Sequence, residues 1–477
     1  MLKCRKVKLV ERSQIEGFCR CRGLIFALIC WSASITWMFG ANPVMAPPHL
    51  VVFLADDYSF LDSKVEGAAD MRTPNLSKLA AAGMTFTHAF VASPSCAPSR
   101  AALLTGLMPA RNGAEVNHSK PRAEIKKLPA YLQELGYEVV AFGKVAHYRH
   151  TGDYGFDHFA HDKFHDHDGV PAALKWLRER KSSKPLCIFI GSNWPHVPWP
   201  ERASWAEPSA MRLPPSQADT PETRDARAAY ATAVTRMDDE LGKVMAAVNE
   251  TLGTNVALMM TSDHGAQFPF AKWNCYDAGI RVPLMVSWPG VVEAGTRSEA
   301  MVSWVDILPT LAEMGGGKVA AKIDGQSFAP VLRRQKQEHR ERIFTTHSAD
   351  GKINVYPMRS VRTKDWKLIV NLTPEAKFTT HIDLVPHGKL PGYWGGFWES
   401  WVRMAESSPD IAAKVQRYRH RPEMELYDLV NDPHEMSNLA ADPAQFDRVR
   451  ELRSELETWM TAQGDQRVEK GPGPEVK

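Results

Sequence analysis

The chain alternates short unbroken apolar runs with stretches of helical periodicity. His49–Ala55 is one such run and ends in Asp56-Asp57; 138–142 stops at Gly143-Lys144. Leu186–Gly191 runs into Asn193-Trp194-Pro195-His196, and 255–260 leads into Thr261-Ser262-Asp263-His264-Gly265. Apolar runs of this length without alternation suit strands buried on both faces. Two more strands are predicted over 84–90 and 281–288. Thr73-Pro74 opens a helix through Leu76, Leu79 and Ala80 that Gly83 stops. A long helix is predicted over 222–252, with Ala226, Ala229, Tyr230, Ala233, Met237, Leu241, Met245 and Val248 on one face. Shorter helices are predicted over 128–135 and 305–314. Strands alternating with helices predict an α/β fold with a large, mostly parallel sheet sandwiched by helices. Sites in such sheets lie beyond the carboxyl ends of the strands. Asp56-Asp57, Lys144, His196 and Asp263-His264 all stand at such ends, so the pattern predicts one shared cleft.

After about residue 335 the texture changes. Short strands over 342–347, 356–362, 366–372 and 425–429 follow without intervening helices, and a helix over 443–460 closes the pattern. This predicts a small C-terminal antiparallel sheet with one helix on it. The organisation is therefore a leader over 1–46, a catalytic domain over 47–335 and a C-terminal subdomain over 336–477. The stretch 373–420 reads as a loop region near the cleft, and the chain from Gln463 as a frayed tail.

The leader changes how the charge is read. Its first 22 residues are basic, 23–31 are apolar, and Val44-Met45-Ala46 is a small-residue cleavage pattern, which together read as a signal for export to the periplasm or beyond. An uncleaved membrane anchor is the second reading. The whole chain carries +3, but without the leader it holds 51 basic and 53 acidic residues, a net of −2. Nothing in that balance calls for a nucleic-acid partner. Four of the seven cysteines also leave with the leader, and Cys96, Cys187 and Cys275 remain. Three is odd, so no disulfide framework is expected. Cys187 sits in an apolar run and reads as core.

Two acids at one strand end and Asp263-His264 at another suggest a divalent-cation site, because hard cations take several carboxylate oxygens. The imidazole of His264 tilts the set toward softer metals. Taken alone, Asp56-Asp57 reads first as a helix-cap or turn pair opening a loop, the commoner use of such acids. A run containing His158, His161, His165 and His167 with Asp162, Asp166 and Asp168 matches no closed tetrahedral spacing, and reads as a solvated loop near the cleft.

Ser95-Cys96-Ala97-Pro98-Ser99-Arg100, continued to Leu104-Thr105-Gly106, is the most specific segment. With Gly143-Lys144-x-x-His147, Pro195-His196, Ser262-Asp263-His264-Gly265, Lys272 and the Glu425-Leu426-Tyr427-Asp428 pattern, it resembles the type I sulfatases of the alkaline-phosphatase-like superfamily. The Tyr356-Pro357-Met358-Arg359-Ser360-Val361 run is similar to heparan N-sulfatases. The Lys-x-x-His and Asp-His elements are similar to iduronate sulfatases.

The resemblance implies that Cys96 is oxidised after translation to formylglycine by a sulfatase-maturing enzyme. It implies one divalent cation, calcium, held by Asp56, Asp57, Cys96, Asp263 and His264. Arg100, Lys144 and Lys272 would neutralise an anionic sulfate group, with Lys144, His196, Lys272 and His118 contacting substrate. Hydrated formylglycine is a geminal diol: one hydroxyl attacks sulfur, and the second loses a proton to His147 and expels sulfate. His196 would protonate the leaving group. The expected substrate is a sulfated polysaccharide or glycosaminoglycan, as a sulfate ester or a sulfamate. A phosphatase or phosphodiesterase of the same superfamily is one alternative, but it would need a Ser or Thr nucleophile. A catalytically dead glycan-binding protein is another, but this chain keeps every reactive group. The motifs leave the oligomeric state open.

Overall fold

Strand β1 (His49–Ala55) lies in the interior of an eight-stranded sheet because both of its faces are covered. Leu50, Val52 and Leu54 enter one hydrophobic core while Val51, Phe53 and Ala55 enter another. Alternate side chains of a strand point to opposite faces, so a doubly covered strand must be apolar throughout. The computed structural model describes residues 46–320, 322–385 and 396–465. Nearly all of the expected leader and most of the expected tail lie outside these described residues.

The sheet also contains β2 (Met84–Phe86), β3 (Glu138–Gly143), β4 (His158–Ala160), β5 (Leu186–Gly191), β6 (Val256–Ser262), β7 (Leu284–Ser287) and β8 (Thr296–Ser298). Their order is β8-β2-β7-β6-β1-β5-β3-β4. Every neighbouring pair is parallel except those of β7, which runs antiparallel to both β6 and β2. One face is covered by α1 (Pro74–Ala82), by α3 (Gly169–Glu179) and by α4 (Pro221–Thr251); the other by α2 (Cys96–Thr105) and α5 (Ile307–Met314). The expected mostly parallel, sandwiched sheet is thus the one found. The predicted strand 84–90 is divided: Ala89–Phe90 leaves the sheet to pair with Val302–Ser303. Helix α3 was not foreseen, although Val170, Ala173 and Leu177 bury one face at helical spacing.

The second sheet is β9 (Ile343–His347), β10 (Met358–Arg362), β11 (Trp366–Asn371) and β12 (Met424–Asp428), antiparallel in that order, with α8 (Phe446–Gln463) packed on it. Tyr356, Met358, Ile369 and Tyr427 join Trp273 and Tyr276 in the core of the large sheet, so the two expected domains share one hydrophobic interior. Two expectations are corrected here. Residues 373–420 are not a loop: they contain His381–Leu384, α6 (Phe397–Met404) and α7 (Pro409–Arg419). Trp401 is buried and its Nε1–H donates to Thr223 Oγ1 at 2.8 Å. The chain is also not frayed from Gln463, because Asp465 is buried in an ion pair with Arg359.

The turn before α5, beside the buried face of α2, is anchored by Asp306. It accepts from the backbone N–H of Ser303 at 2.9 Å and of Gln326 at 2.7 Å, and pairs with Arg340. Burial opposes the charge, but Arg340 and His339 outweigh it and hold the carboxyl at about 2. The folded pKa is depressed, so this stabilisation is present above the unfolded value and lost as pH falls toward 2. Asp306→Asn is expected to lower stability by about 2 kcal/mol at pH 7 and by clearly less at pH 3. Urea midpoints of both proteins at the two pH values check this.

Candidate active site

The carboxyl ends of β1, β3, β5 and β6 meet the N-terminus of α2. Cys96 is the first residue of that helix, and Ser99 Oγ–H donates to the Asp263 carbonyl at 2.6 Å, tying the helix to the end of β6. Aligned peptide dipoles make a helix N-terminus favourable for anions. Gly265 follows Asp263-His264 because a Cβ there would lie 1.8 Å from the Ala278 carbonyl oxygen.

Arg100 is the centre of the buried charge network. Its Nε lies 2.9 Å from Asp263 Oδ2 and its Nη2 3.1 Å from Asp56 Oδ1, while Nη1 donates to the Lys144 carbonyl. Lys144 Nζ is 2.5 Å from Asp56 Oδ2 and 3.7 Å from Cys96 Sγ. Lys272 Nζ contacts both Asp57 oxygens at 2.8 and 2.9 Å and the Gln267 amide oxygen at 3.2 Å. His264 Nε2 is 3.2 Å from Cys96 Sγ and 3.5 Å from both Asp57 Oδ1 and Asp263 Oδ2. All of these side chains are buried.

Ligand atoms of Asp57, Cys96, Asp263 and His264 lie within 4.8 Å of one another. Two carboxylates, an imidazole and a sulfur position fit a single divalent ion. Asp56, expected beside them, directs its two oxygens to Arg100 and Lys144. His196 stands at the rim, with Nε2 3.9 Å from Asp57 Oδ2.

Above Cys96 opens a cavity of about 300 Å³. Its walls hold the expected His118, His147, His196 and Lys272, and also Tyr148, Gln267, Trp273, Asp350 and His381, which sequence reasoning missed. Asp57, His118, Tyr148 and Trp273 all have left-handed φ values between 53° and 67°. Such strain costs roughly 1–3 kcal/mol per residue and gathers at functional sites. The histidine-rich run reaches the rim: Phe164 lines the cavity, and the His165 ring lies 5.5 Å from that of His196.

The sulfatase family profile matches residues 48–317, more than half of the chain. The chain belongs to the sulfatase family. This sulfatase also matches the C-terminal part of N-sulphoglucosamine sulphohydrolase over 264–385. It is 29% identical to an ulvan-active sulfatase of Formosa agariphila over 441 residues, covering 89% of this chain and 82% of the relative. It is 28% identical to human N-sulphoglucosamine sulphohydrolase over 467 residues, covering 87% and 90%. A solved structure of a protein in complex with D-glucosamine-2-N,6-O-disulfate superposes with a TM-score of 0.65 at 19% identity, covering 89% of this chain and 100% of that one. The enzyme is a sulfuric ester hydrolase with the expected alkaline-phosphatase-like architecture.

The electrostatics of the sulfatase site follow from burial and pairing. Burial opposes ionisation of Asp56 and Asp263, but Lys144 and Arg100 overcome it and both carboxyls lie below the usual range. Burial raises Asp57, and Lys272 and His264 only partly offset it. Burial disfavours a charged His264, yet Asp263, Cys96 and Asp57 raise it to about 9. His147 and His196 go the other way: burial and nearby lysines push both well below the ordinary imidazole value. Among the described residues Cys96, Cys187 and Cys275 are free and buried, and no helix is long and apolar enough to cross a membrane. Cys187 lies in the core as expected.

Proposed function

We propose that this enzyme removes sulfate from a sulfated polysaccharide or glycosaminoglycan, as an ester or a sulfamate, using Cys96 matured to formylglycine and one bound calcium ion. The observation that carries this reading is the placement of Cys96. Its Sγ lies among three side chains that could ligate a metal, Asp57, Asp263 and His264, and 3.7 Å from Lys144 Nζ, beneath an open cavity. The Cys96 sulfur marks where the oxygen of the matured side chain would stand. Asp57, Asp263, His264 and that oxygen would hold the ion, and Asp56 would join them through the lone pairs that its contacts with Arg100 and Lys144 leave open. Such an ion would supply Lewis acidity toward a sulfate oxygen, and a matured Cys96 would supply a nucleophile with a built-in route of release.

Arg100 fixes the orientation of Asp56 and Asp263. Lys144 and Lys272 place positive charge where sulfate oxygens gather, and burial makes that charge more effective than in water. His196 would bind sulfate and protonate the leaving atom; burial and the nearby lysines hold it neutral in the empty site, so it must gain that proton as the anionic substrate enters. His147 is held neutral at pH 7, so it can accept a proton. The names of the two curated relatives support a sulfated carbohydrate as substrate. Export after removal of residues 1–46, maturation by a formylglycine-generating enzyme, and a functional division at 335/336 belong to the same proposal.

The test measures the mass of the tryptic peptide ending at Arg100, sulfate against phosphate release from paired model sulfate and phosphate esters, and sulfate release from heparan, chondroitin and algal sulfated oligosaccharides. An aldehyde mass and sulfate release are expected. EDTA should abolish turnover and calcium should restore it. An unmodified thiol in active protein, or release of phosphate alone, overturns the reading.

A further inference from the structure

Val116–Asn117 and Ala349–Asp350 pair as a two-residue parallel bridge, with Asn117 opposite Asp350. This bridge sets Asp350 beside His118. Trp273 Nε1–H donates to Asp350 Oδ2 at 2.7 Å, and His118 Nε2 lies 3.0 Å from Asp350 Oδ1. The other ring nitrogen of His118, Nδ1, lies 2.7 Å from His147 Nε2. These contacts dictate where the protons are. An ionised carboxylate only accepts, so His118 Nε2 carries a proton. In neutral His118 the lone pair is then on Nδ1, which makes His147 Nε2 the donor. His147 is left with its lone pair on Nδ1, a buried atom without a protein partner.

We propose that Asp350 and His118 are positioning residues that select the His147 tautomer and relay its proton. A proton taken up at His147 Nδ1 is matched by passage of the Nε2 proton to His118 Nδ1, leaving an imidazolium beside the Asp350 carboxylate. One proton enters His147 and one leaves it. The His118 proton then returns to His147 Nε2 by the same path as the Nδ1 proton of His147 leaves to water entering the cavity, which restores the starting tautomers. This rests on the assignment of His147 as proton acceptor in the sulfatase reaction.

The direction of transfer follows from the surroundings. Burial disfavours a charged His147, and Lys144, His118, His150 and Arg100 add to that; Tyr148 packs on its ring. His118 is the better resting place, because its side chain is 59% exposed and faces a carboxylate. Burial opposes ionisation of Asp350, but His118, His381 and Lys272 hold its carboxyl below the usual range. On the outer side, His150 faces Asp153, Lys120 and Arg149.

Two variants of the full-length matured enzyme test the relay: Asp350→Asn, which keeps an acceptor for Trp273 but loses the charge, and His118→Ala. Both are expected to lower kcat by about tenfold to a hundredfold with KM within about twofold. In Asp350→Asn the acid limb of the kcat–pH profile should move to lower pH, because the carboxylate no longer stabilises the imidazolium. Nitrogen-15 spectra of the histidine-labelled enzyme should show His147 protonated on Nε2 in the parent and a mixture of tautomers in both variants. A loss confined to KM, an unmoved acid limb, or an unchanged His147 spectrum overturns the relay. If Asp350→Asn fails to fold, His118→Ala supplies the same kinetic and spectral readouts. The spectra are recorded without substrate, so they judge the tautomer argument apart from the chemistry. Full turnover in His147→Ala would instead sink the proton-acceptor assignment.

Discussion

Cys96→Ala is expected to abolish sulfate release, by a factor on the order of 10⁴ to 10⁶, while the urea midpoint moves by no more than about 1 kcal/mol in stability. The two effects separate because of where the sulfur lies. Cys96 is buried at the first turn of α2, and its Sγ lies 3.2 Å from His264 Nε2 and 3.7 Å from Lys144 Nζ. Cys96 belongs to none of the hydrophobic core clusters, and the turn is held by the backbone N–H of Ala97 donating to Asn117 Oδ1 at 3.0 Å. The proposed reaction, by contrast, would have no nucleophile without this side chain. The same protein produced in cells lacking a maturing enzyme should be as inactive as the variant, since an unmodified thiol lacks the hydrate hydroxyl that expels sulfate. Sulfate release and urea unfolding, measured on all three preparations, check the expectation. Full activity in the unmodified form would remove the basis of the proposed chemistry.

Arg100→Ala should be costly in a different way, lowering both activity and stability. Arg100 has no exposed side-chain surface and neutralises Asp56 and Asp263 at once, while also donating to the Lys144 and Val145 carbonyls. Removing one partner of a buried pair leaves the other charges uncompensated, which costs about 3–5 kcal/mol. Arg100→Lys keeps a charge but not the planar fork, so one ammonium cannot reach both carboxylates and both carbonyls. Its expected loss is smaller, about 1–3 kcal/mol for the unmade hydrogen bonds. Urea midpoints should rank the parent above Arg100→Lys and Arg100→Lys above Arg100→Ala. Sulfate release should be lost in the alanine variant and severely reduced in the lysine variant, because Asp263 and Asp56 lose their orientation in each. Equal destabilisation by the two substitutions would show that charge is not what the buried site requires.

The strands that carry the site were legible because each is doubly buried. An apolar run of fixed length ending in polar residues can be read locally, and His49–Ala55 and Leu186–Gly191 are found with the boundaries expected. The run from Cys96 to Gly106 was legible for another reason: its chemistry is compressed into eleven consecutive residues. Residues 373–420 were misread because proline, glycine and tryptophan suggest loop. The tryptophans at 398 and 401 are instead buried faces of α6. Prolines at the starts of α4 and α7 open helices rather than break them. The antiparallel course of β7 had no local mark, since strand direction depends on the connection rather than on side-chain pattern.

Composition, motif and periodicity together specified the α/β sandwich, the shared cleft and the acids, cations and histidines around Cys96. Each of those signals lies within a few residues of its own strand end. Tertiary structure alone decided that Asp56 faces Arg100 and Lys144 while Asp57 faces Lys272, because adjacent residues at a strand end turn to different neighbours. It alone brought Asp350 to His118, 232 positions away in the chain, through a bridge of two residues on each side. So short a pairing leaves no periodic pattern in either segment. Its partners are chosen by the packing of the second sheet against the first, and that packing is a property of the folded chain as a whole.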